Sequence, residues 1–567
     1  MAQPKQKLRL GDLLVLQKVI TQEQLVKALE AQRNKGGRKL GEVLVDEEFC
    51  TEEEIRDALS SQLQIPKVDL MSQEVDEQAL HLVPSTIARK HVAIPFGFSH
   101  ENANVLYLAM ADPMDMAALD DFSIVTNHRI EPFVATPSEI YLAIDRAYGN
   151  ADARQVAEQY ERERAELYGT TEEEEQEQAD VAASPVVTLV RGMIEQAVRQ
   201  RASDIHIEPM ADRLRIRYRI DGALFERMSY ALTLLPAIVA RIKVIGGMDI
   251  AEKRKPQDGR VTQIVGRLEF DIRVSIIPTV YGEKVVMRLN SKNALNREKA
   301  QLGLNAMELK AFDHIFKNPH GIVLVTGPTG SGKTTTLYTA ISELNREEVN
   351  IITVEDPVEA NIDGINQIQV NPKADLTFAN ALRSILRQDP DIIMIGEIRD
   401  SETAEIAVQA SITGHLVVST LHTNSTASSV GRLVDMGCEP YLLADSIVGI
   451  IAQRLVRRLC PACKKPKAPT PDEREILGIP DGREAVVYEP CGCPQCDNTG
   501  YRGRIGVYEI MQISPKLKHC ISHNRPAEEI KEVAFSEGMR TLRMSATRYV
   551  YEGITSVAEM TKVSFDL

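Results

Sequence analysis

The chain has 567 residues, 43% hydrophobic and 26% charged, which excludes a fibrous or wholly disordered protein. At roughly 100 to 200 residues per domain it predicts three or four domains. A formal charge of −15 and a pI near 5.4 oppose broad, sequence-blind binding to nucleic acid, which draws on clustered Lys and Arg, so no nucleic-acid partner is expected.

The N-terminal stretch MAQPKQKLRLGDLLVLQKVI has no signal-peptide pattern, and no run approaches the ~18 apolar residues of a membrane span. The expectation is a cytoplasmic protein that meets a membrane only through partners. Residues 1–70 repeat with a period of thirty: LGDLLV at Leu10 returns as LGEVLV at Leu40, and Leu25, Leu29 and Gln32 return as Ile55, Leu59 and Gln62. Capping boxes at Thr21/Gln24 and Thr51/Glu54 start a helix in each unit, so the pair predicts a compact helical module. Residues 71–150, with VLYLAM at Val105, read as a small α/β companion. The glutamate-rich stretch that follows cannot bury enough apolar surface to order itself, so 151–183 reads as an acidic helix and flexible linker. From 184 to 300 a helical pattern gives way to SDIHIEP, RLRIRYRID, FDIRVSIIP and EKVVMRL, whose alternation predicts the strands of an arginine-rich α+β domain.

The chemistry is concentrated in GIVLVTGPTGSGKTTTLYTAISEL. An apolar strand leads into Gly327-Pro328-Thr329-Gly330-Ser331-Gly332-Lys333-Thr334, followed by Thr335 and a helical pattern, which is the context a phosphate-binding loop requires. Glycines let backbone N–H groups close around phosphates, Lys333 reaches the terminal ones, and the Thr334 hydroxyl can ligate Mg²⁺. Three further apolar runs end in polar residues: IITVED at Asp356, DIIMIGE at Glu397 and HLVVSTLHTN at Asn424. Strands alternating with helices imply a mostly parallel sheet, so Glu355, Glu397 and His422 are expected around the same phosphates. Glu397 stands where phosphoryl transfer needs a carboxylate for the attacking water or the metal's water shell. Gly396 occupies the place where many such ATPases carry a metal-binding aspartate, so Glu355 or Asp356 is the candidate to complete the Mg²⁺ site. Arg383 and Arg387, four apart in LRSILRQDPD, share a helix face that meets nucleotide, an adjacent subunit or simply solvent. NPKAD at Asn371 departs by one residue from a guanine-reading tetrapeptide, which favours ATP.

Five of the eight cysteines fall between Cys460 and Cys496. Cys460-Pro-Ala-Cys463 and Cys493-Pro-Gln-Cys496 are paired knuckles suited to a closed tetrahedral Zn²⁺ site, with Cys491 as an extra thiol able to replace Cys493.

GPTGSGKTT, ITVEDPVE, ALRSILRQDPDIIMIGEIRD and TGHLVVSTLHTN, in that order, resemble the Walker A, aspartate-box, Walker B and histidine-box motifs of secretion ATPases, the hexameric motors of type II secretion and type IV pilus assembly. SDIHIEP, RYRIDG and QDGR match the domain that precedes the motor in that family. The resemblance implies a multidomain α/β protein: a RecA-like P-loop ATPase at 301–456, a zinc-bearing insertion at 457–500 and a C-terminal helical region at 501–567. It implies a homohexamer that hydrolyses ATP with Mg²⁺ and drives pilin assembly through an inner-membrane platform protein, peripheral to that membrane. A type II secretion ATPase is the nearest alternative; a nucleic-acid translocase and a nucleotide-sensing scaffold are remoter ones. Family members complete the nucleotide site with arginines matching Arg273 and Arg288, and His415 and His422 match the histidine box, which senses the γ-phosphate or bridges subunits. The N-terminal repeat resembles a cyclic-di-GMP-binding module, through Arg9-Leu10-Gly11 with Gln32 and Lys39-Leu40-Gly41 with Gln62. Lys18 and Glu48 stand where that pattern has glycines, so ligand binding and helical docking to another pilus or secretion protein both stay open.

Overall fold

The structure, a computed structural model, describes residues 9–34, 39–47, 49–70, 73, 75–99, 102, 104–144, 147–148, 185–265, 268–291, 298–480 and 482–564. The expected linker at 151–183 and Glu48 lie outside the described residues. The described residues fall into two compact units: those up to 199 with 209–215 and 228–242, and those of 200–208, 216–227 and from 243 onward. Among the described residues no helix is long and apolar enough to cross a membrane.

The first unit opens with helices Leu10–Leu16, Gln22–Asn34, Leu40–Asp46 and Glu52–Leu63. Both capping boxes form: Thr21 N–H donates to Gln24 Oε1 at 2.7 Å, and Thr51 and Glu54 exchange the equivalent pair of bonds. Repeat-related residues fill one core, since Leu14 and Leu44 and also Ala28 and Ala58 are all fully buried. A Cβ on Gly11 would lie 2.6 Å from Leu25 Cδ1 and 3.2 Å from Leu40 Cδ2, and one on Gly41 would lie 3.2 Å from Ile55 Cγ2 and 3.8 Å from Leu10 Cδ2. These neighbours correspond across the thirty-residue repeat. Each glycine therefore admits the long helix of its own unit and the leucine that opens the other unit.

Beyond the helices, β1 (Ala93–Phe98), β2 (Val105–Met110) and β3 (Arg129–Val134) form a small sheet with β1/β2 antiparallel and β2/β3 parallel. Residues 67 and 68 already belong here: Lys67 bridges to Val134, and Val68 packs in the companion's core.

The arginine-rich region holds β4 (Ala202–Pro209), β5 (Leu214–Ile220), β6 (Ala223–Tyr230), β7 (Gln257–Val265), β8 (Leu268–Thr279) and β9 (Gly282–Ser291). Strands β4, β9, β8 and β7 pair antiparallel in that spatial order. On its polar face Arg217 forms two bonds to Glu208, both at 2.9 Å.

The motor region is a seven-stranded sheet of β10 (Gly321–Thr326), β11 (Ile351–Glu355), β12 (Asn366–Gln369), β13 (Ile392–Ile395), β14 (Leu416–Leu421), β15 (Ile447–Leu459) and β18 (Tyr501–Gln512). Their order is β12-β11-β13-β14-β10-β15-β18, all parallel except the antiparallel β15/β18 pair. Cores lie on both faces, with Ile322 and Leu324 in one and Val323 and Val325 in the other. Burial on both sides is why these strands read as unbroken aliphatic runs.

Residues 501–512, placed by the sequence reading in a helical C-terminal region, are corrected: they form β18, hydrogen-bonded to β15 from Gly449↔Gln512 to Leu459↔Tyr501. The apolar segment IGVYEIM is mostly buried there, so strand alternation is hidden. Helices do follow, at Pro515–Ser522, Ala527–Ser536, Leu542–Tyr551 and Val557–Ser564. Between β15 and β18 sits a cysteine-bearing lobe with the two-stranded ribbon β16 (Lys465–Lys467) and β17 (Val487–Glu489).

Candidate functional site

The polypeptide leaves β10 at Thr326 and turns through 327–332 into helix Lys333–Leu344. Gly327, Gly330 and Gly332 have φ of +151°, +78° and +89°, values that L side chains rarely adopt. Space matters too: a Cβ on Gly327 would lie 2.4 Å from the Gln453 carbonyl oxygen, and one on Gly332 would lie 2.8 Å from Gln453 Nε2. Pro328, Thr329 and Ser331 complete the loop, and Thr334 and Thr335 follow Lys333 in the first helical turn, where free N–H groups and the helix dipole favour an anion. Lys333 Nζ donates to the Gly327 and Pro328 carbonyls at 2.8 and 3.1 Å. Burial, with the Arg454 guanidinium adding to it, pulls Lys333 down to about 8, and Glu397 opposes the fall.

Glu397 stands past the end of β13 in the same crevice. Arg399 Nη2 is 2.6 Å from one carboxylate oxygen and His422 Nε2 is 3.2 Å from the other. Asp356 contributes to raising Arg399, behind the larger effect of the bond to Glu397. Asp356, Glu397, Arg399 and Lys333 therefore form one charged group beside the loop, with the His422 ring against Glu397. A Cβ on Gly396 would lie 3.3 Å from both Glu355 Cα and Val354 O, so an aspartate there would press on the β11 backbone.

Glu355 takes a different direction. Its carboxylate is buried, bonded by the Tyr338 hydroxyl, by Thr353 Oγ1 at 2.6 Å and by Gln367 Nε2 at 3.1 Å. His415 is also separated: it precedes β14, level with the start of β10, while His422 follows the other end. At about 3.3 Å per residue the two histidines lie on the order of 20 Å apart. His415 Nδ1 is 2.8 Å from the Ala410 carbonyl oxygen. Arg383 pairs with Glu402 and bonds Asn380 at 3.3 Å, and Arg387 bonds the Arg383 carbonyl at 2.9 Å; both are exposed, but the helix ends at Ile385, so Arg387 lies in the turn beyond it and not on the helix face expected for the pair. In the arginine-rich sheet Arg273 pairs with Glu359 at 2.9 Å and Arg288 with Asp204 at 3.1 Å.

Two residues at the loop escaped the sequence reading. Gln453 and Arg454 in β15 are 2% and 5% exposed; Gln453 accepts from Thr336 at 2.7 Å, and Arg454 donates to Asn424 Oδ1 at 3.1 Å. Their signal was a polar pair interrupting the apolar run IVGIIAQRLV.

In the lobe, the Cys460–Cys493, Cys463–Cys496 and Cys493–Cys496 sulfur separations are 3.8, 3.9 and 3.7 Å. Zn–S bonds of ~2.3 Å in a tetrahedron space the sulfurs by about 3.8 Å, whereas a disulfide needs about 2.05 Å. The N–H groups of Cys493 and Gly500 both point at Cys496 Sγ at 3.2 Å, the orientation expected around a thiolate. Cys491 is exposed and outside the cluster, so Cys493 is the fourth member.

A family model described as type II/IV secretion system protein matches residues 178–562. The chain belongs to the type II/IV secretion ATPase family. A second model, the MshEN domain, matches residues 63–154. The type IV pilus assembly ATPase PilB of Myxococcus xanthus is 45% identical over 97% of this chain and 98% of its own. The type II secretion system ATPase E of Vibrio cholerae is 41% identical over 88% and 99%. Among solved structures, the Legionella pneumophila ATPase DotB matches with a TM-score of 0.50 at 23% identity over 67% of this chain and 96% of its own, a likeness of fold. This secretion ATPase thus carries its family's motifs on a mixed α/β, multidomain framework, and it is an ATPase.

Two outcomes follow for this site. Between about pH 8 and the usual lysine value the unfolded chain holds more protons at Lys333, so the cost of burying that charge fades as pH rises. Phosphate needs the charged form, so ADP affinity measured by fluorescence titration should weaken as pH rises through about 8, and Lys333→Gln should flatten that dependence. Purified protein should contain about one zinc per chain, and Cys463→Ser or chelation should lower its unfolding temperature while Cys491→Ser leaves it unchanged.

Proposed function

We propose that this ATPase powers assembly of a type IV pilus, working as a homohexamer on the cytoplasmic side of the inner membrane and acting on pilins through a membrane platform protein. The observation that carries this reading is the clustering of Glu397, Arg399 and His422 beside Lys333, on a chain that matches a pilus assembly ATPase over almost the full length of both. Thr334 with Asp356 and Glu397 are the groups that would hold Mg²⁺, which when bound supplies charge neutralisation for the phosphates. Lys333 and the loop amides bind the phosphates, and Glu397 orients water or accepts its proton, with Arg399 and His422 fixing the carboxylate. Cys460, Cys463, Cys493 and Cys496 would hold a structural Zn²⁺.

Arg273 and Arg288 complete the nucleotide site when the arginine-rich domain closes. Their present partners leave that movement open. Arg288 is 60% exposed while Asp204 is buried, and Asp204 keeps the Ser203 hydroxyl at 2.8 Å and Arg219 at 3.5 Å when Arg288 withdraws. An arginine can therefore exchange an acid for a phosphate, which offers a better bidentate acceptor.

The N-terminal module is proposed as a regulatory element, with cyclic di-GMP bound by Arg9, Leu10, Gly11 and Gln32 in one repeat and Lys39, Leu40, Gly41 and Gln62 in the other. The matched arrangement of the two repeats around Gly11 and Gly41 supports a two-part site for a two-part ligand. Calorimetry of the full chain with cyclic di-GMP should show saturable binding lost in Arg9→Ala; no heat at millimolar ligand would leave the module a docking element.

A type II secretion ATPase is the second reading, favoured by the Vibrio cholerae relative. Purified protein should hydrolyse ATP, and Glu397→Gln should lower turnover by roughly 100-fold or more with nucleotide affinity retained. In the organism the same substitution should abolish surface pili and leave exoprotein secretion intact. Loss of secretion with pili retained would select the second reading.

A further inference from the structure

Along β11, Ile351, Thr353 and Glu355 alternate with Ile352 and Val354, and Ile351 packs in the core built on helix Lys333–Leu344. Thr353 and Glu355 therefore point at that helix, where they meet Tyr338. Tyr338 lies one turn beyond Thr334, so the same helical face carries the loop's last hydroxyl and this phenol.

Tyr338 is completely buried, Thr353 is 0% exposed and Glu355 3%. The Tyr338 hydroxyl donates to Glu355 Oε2. Its oxygen accepts from the Glu359 N–H at 3.3 Å and from Gln367 Nε2 at 3.4 Å. Gln367 Nε2 also donates to the Ala360 carbonyl at 3.0 Å, and Gln367 Oε1 accepts from the Ile362 N–H at 2.8 Å, so the segment after β11 is tied to the same amide. Glu359 in turn holds Arg273 on its carboxylate.

A phenylalanine would fill this core equally well. Burying a hydroxyl costs free energy unless it is bonded, and Tyr338 recovers that cost through a charged acceptor and two donors. Burial and the neighbouring Glu355 charge push the phenol well above its ordinary value, so it remains a donor at physiological pH. Packing does not require the O–H. Fixing Glu355 does.

We propose that Tyr338 is a positioning residue: its hydroxyl fixes the Glu355 carboxylate at the end of β11 and joins it to the Glu359 segment that the Arg273 sheet touches. This rests on the sequence reading of Glu355 as a candidate for the Mg²⁺ site, which from its buried position it would serve by holding the backbone that carries Asp356. Tyr338→Phe should reduce kcat about tenfold with KM for ATP within about twofold, as expected when a reacting group is misplaced and binding is untouched. Its unfolding temperature should fall modestly, because Glu355 Oε2 and the Glu359 N–H lose their buried partner, and turnover is compared where both proteins remain folded. A kcat equal to wild type, or a fall in kcat/KM carried by KM alone, overturns the proposal.

Glu355→Gln separates this inference from its foundation. Wild-type turnover in Glu355→Gln would remove Glu355 from the reaction altogether. If that variant is impaired but measurable, adding Tyr338→Phe should cost nothing further, and a multiplicative loss would show that Tyr338 acts elsewhere. No turnover in the wild type would strike the ATPase reading itself.

Discussion

Thr326 and Leu421 are register partners on adjacent parallel strands, and Ile395 lies against Ser419 one strand further along. That register is the constraint on which the site depends. Residues following those positions must emerge on one edge, which is why the loop at Gly327, the carboxylate of Glu397 and the imidazole of His422 meet although up to 95 residues separate them in sequence. A parallel sheet demands helical crossovers, and each crossover here returns the chain to the far edge before the next strand begins. His415 is stranded at that far edge for the same reason.

Collecting charged groups on one edge creates an electrostatic problem. Lys333 and Arg454 are both nearly buried and repel one another, as the depressed Lys333 shows. Their charge is offset in part by Glu397, which is itself shared with Arg399 and His422. The site thus holds surplus positive charge suited to a polyanion, in a chain whose net charge is negative. Binding a triphosphate relieves this repulsion, so affinity and the ionisation of Lys333 are linked.

Much of this was legible in the sequence because the physical demands are local. A loop that wraps phosphate needs glycines at fixed offsets between strand and helix, and Gly327, Gly330 and Gly332 do adopt the required backbone. The cysteine knuckles were legible by the same logic of spacing. What escaped was anything set by which face of a strand meets which neighbour. Period-two reasoning puts Thr353 and Glu355 on one face of β11, but it does not say that Tyr338 covers that face, so Glu355 was expected among the phosphates. Likewise β18, buried along most of its length beside β15, shows no alternation to distinguish it from helix.

The paired acids around the arginines give the preceding sheet a mechanical meaning. Arg273 rests between Asp271 and Glu359, and Arg288 beside Asp204, so neither charge is left uncompensated while remote from phosphate. Asp204 and Asp271 are buried, so an arginine leaves either at small cost only because the carboxylate keeps another donor, Arg219 for Asp204 and Arg260 for Asp271. A buried carboxylate with no second donor would cost several kcal/mol to abandon and would lock the domain. Glu359 is instead 33% exposed, and its backbone N–H is anchored to the Tyr338 oxygen, so the carboxylate can release its partner while the main chain beneath stays fixed. The arrangement separates two tasks: carboxylates shared between several donors let the arginine-rich sheet move, and buried hydrogen bonds keep the segment that it approaches in place.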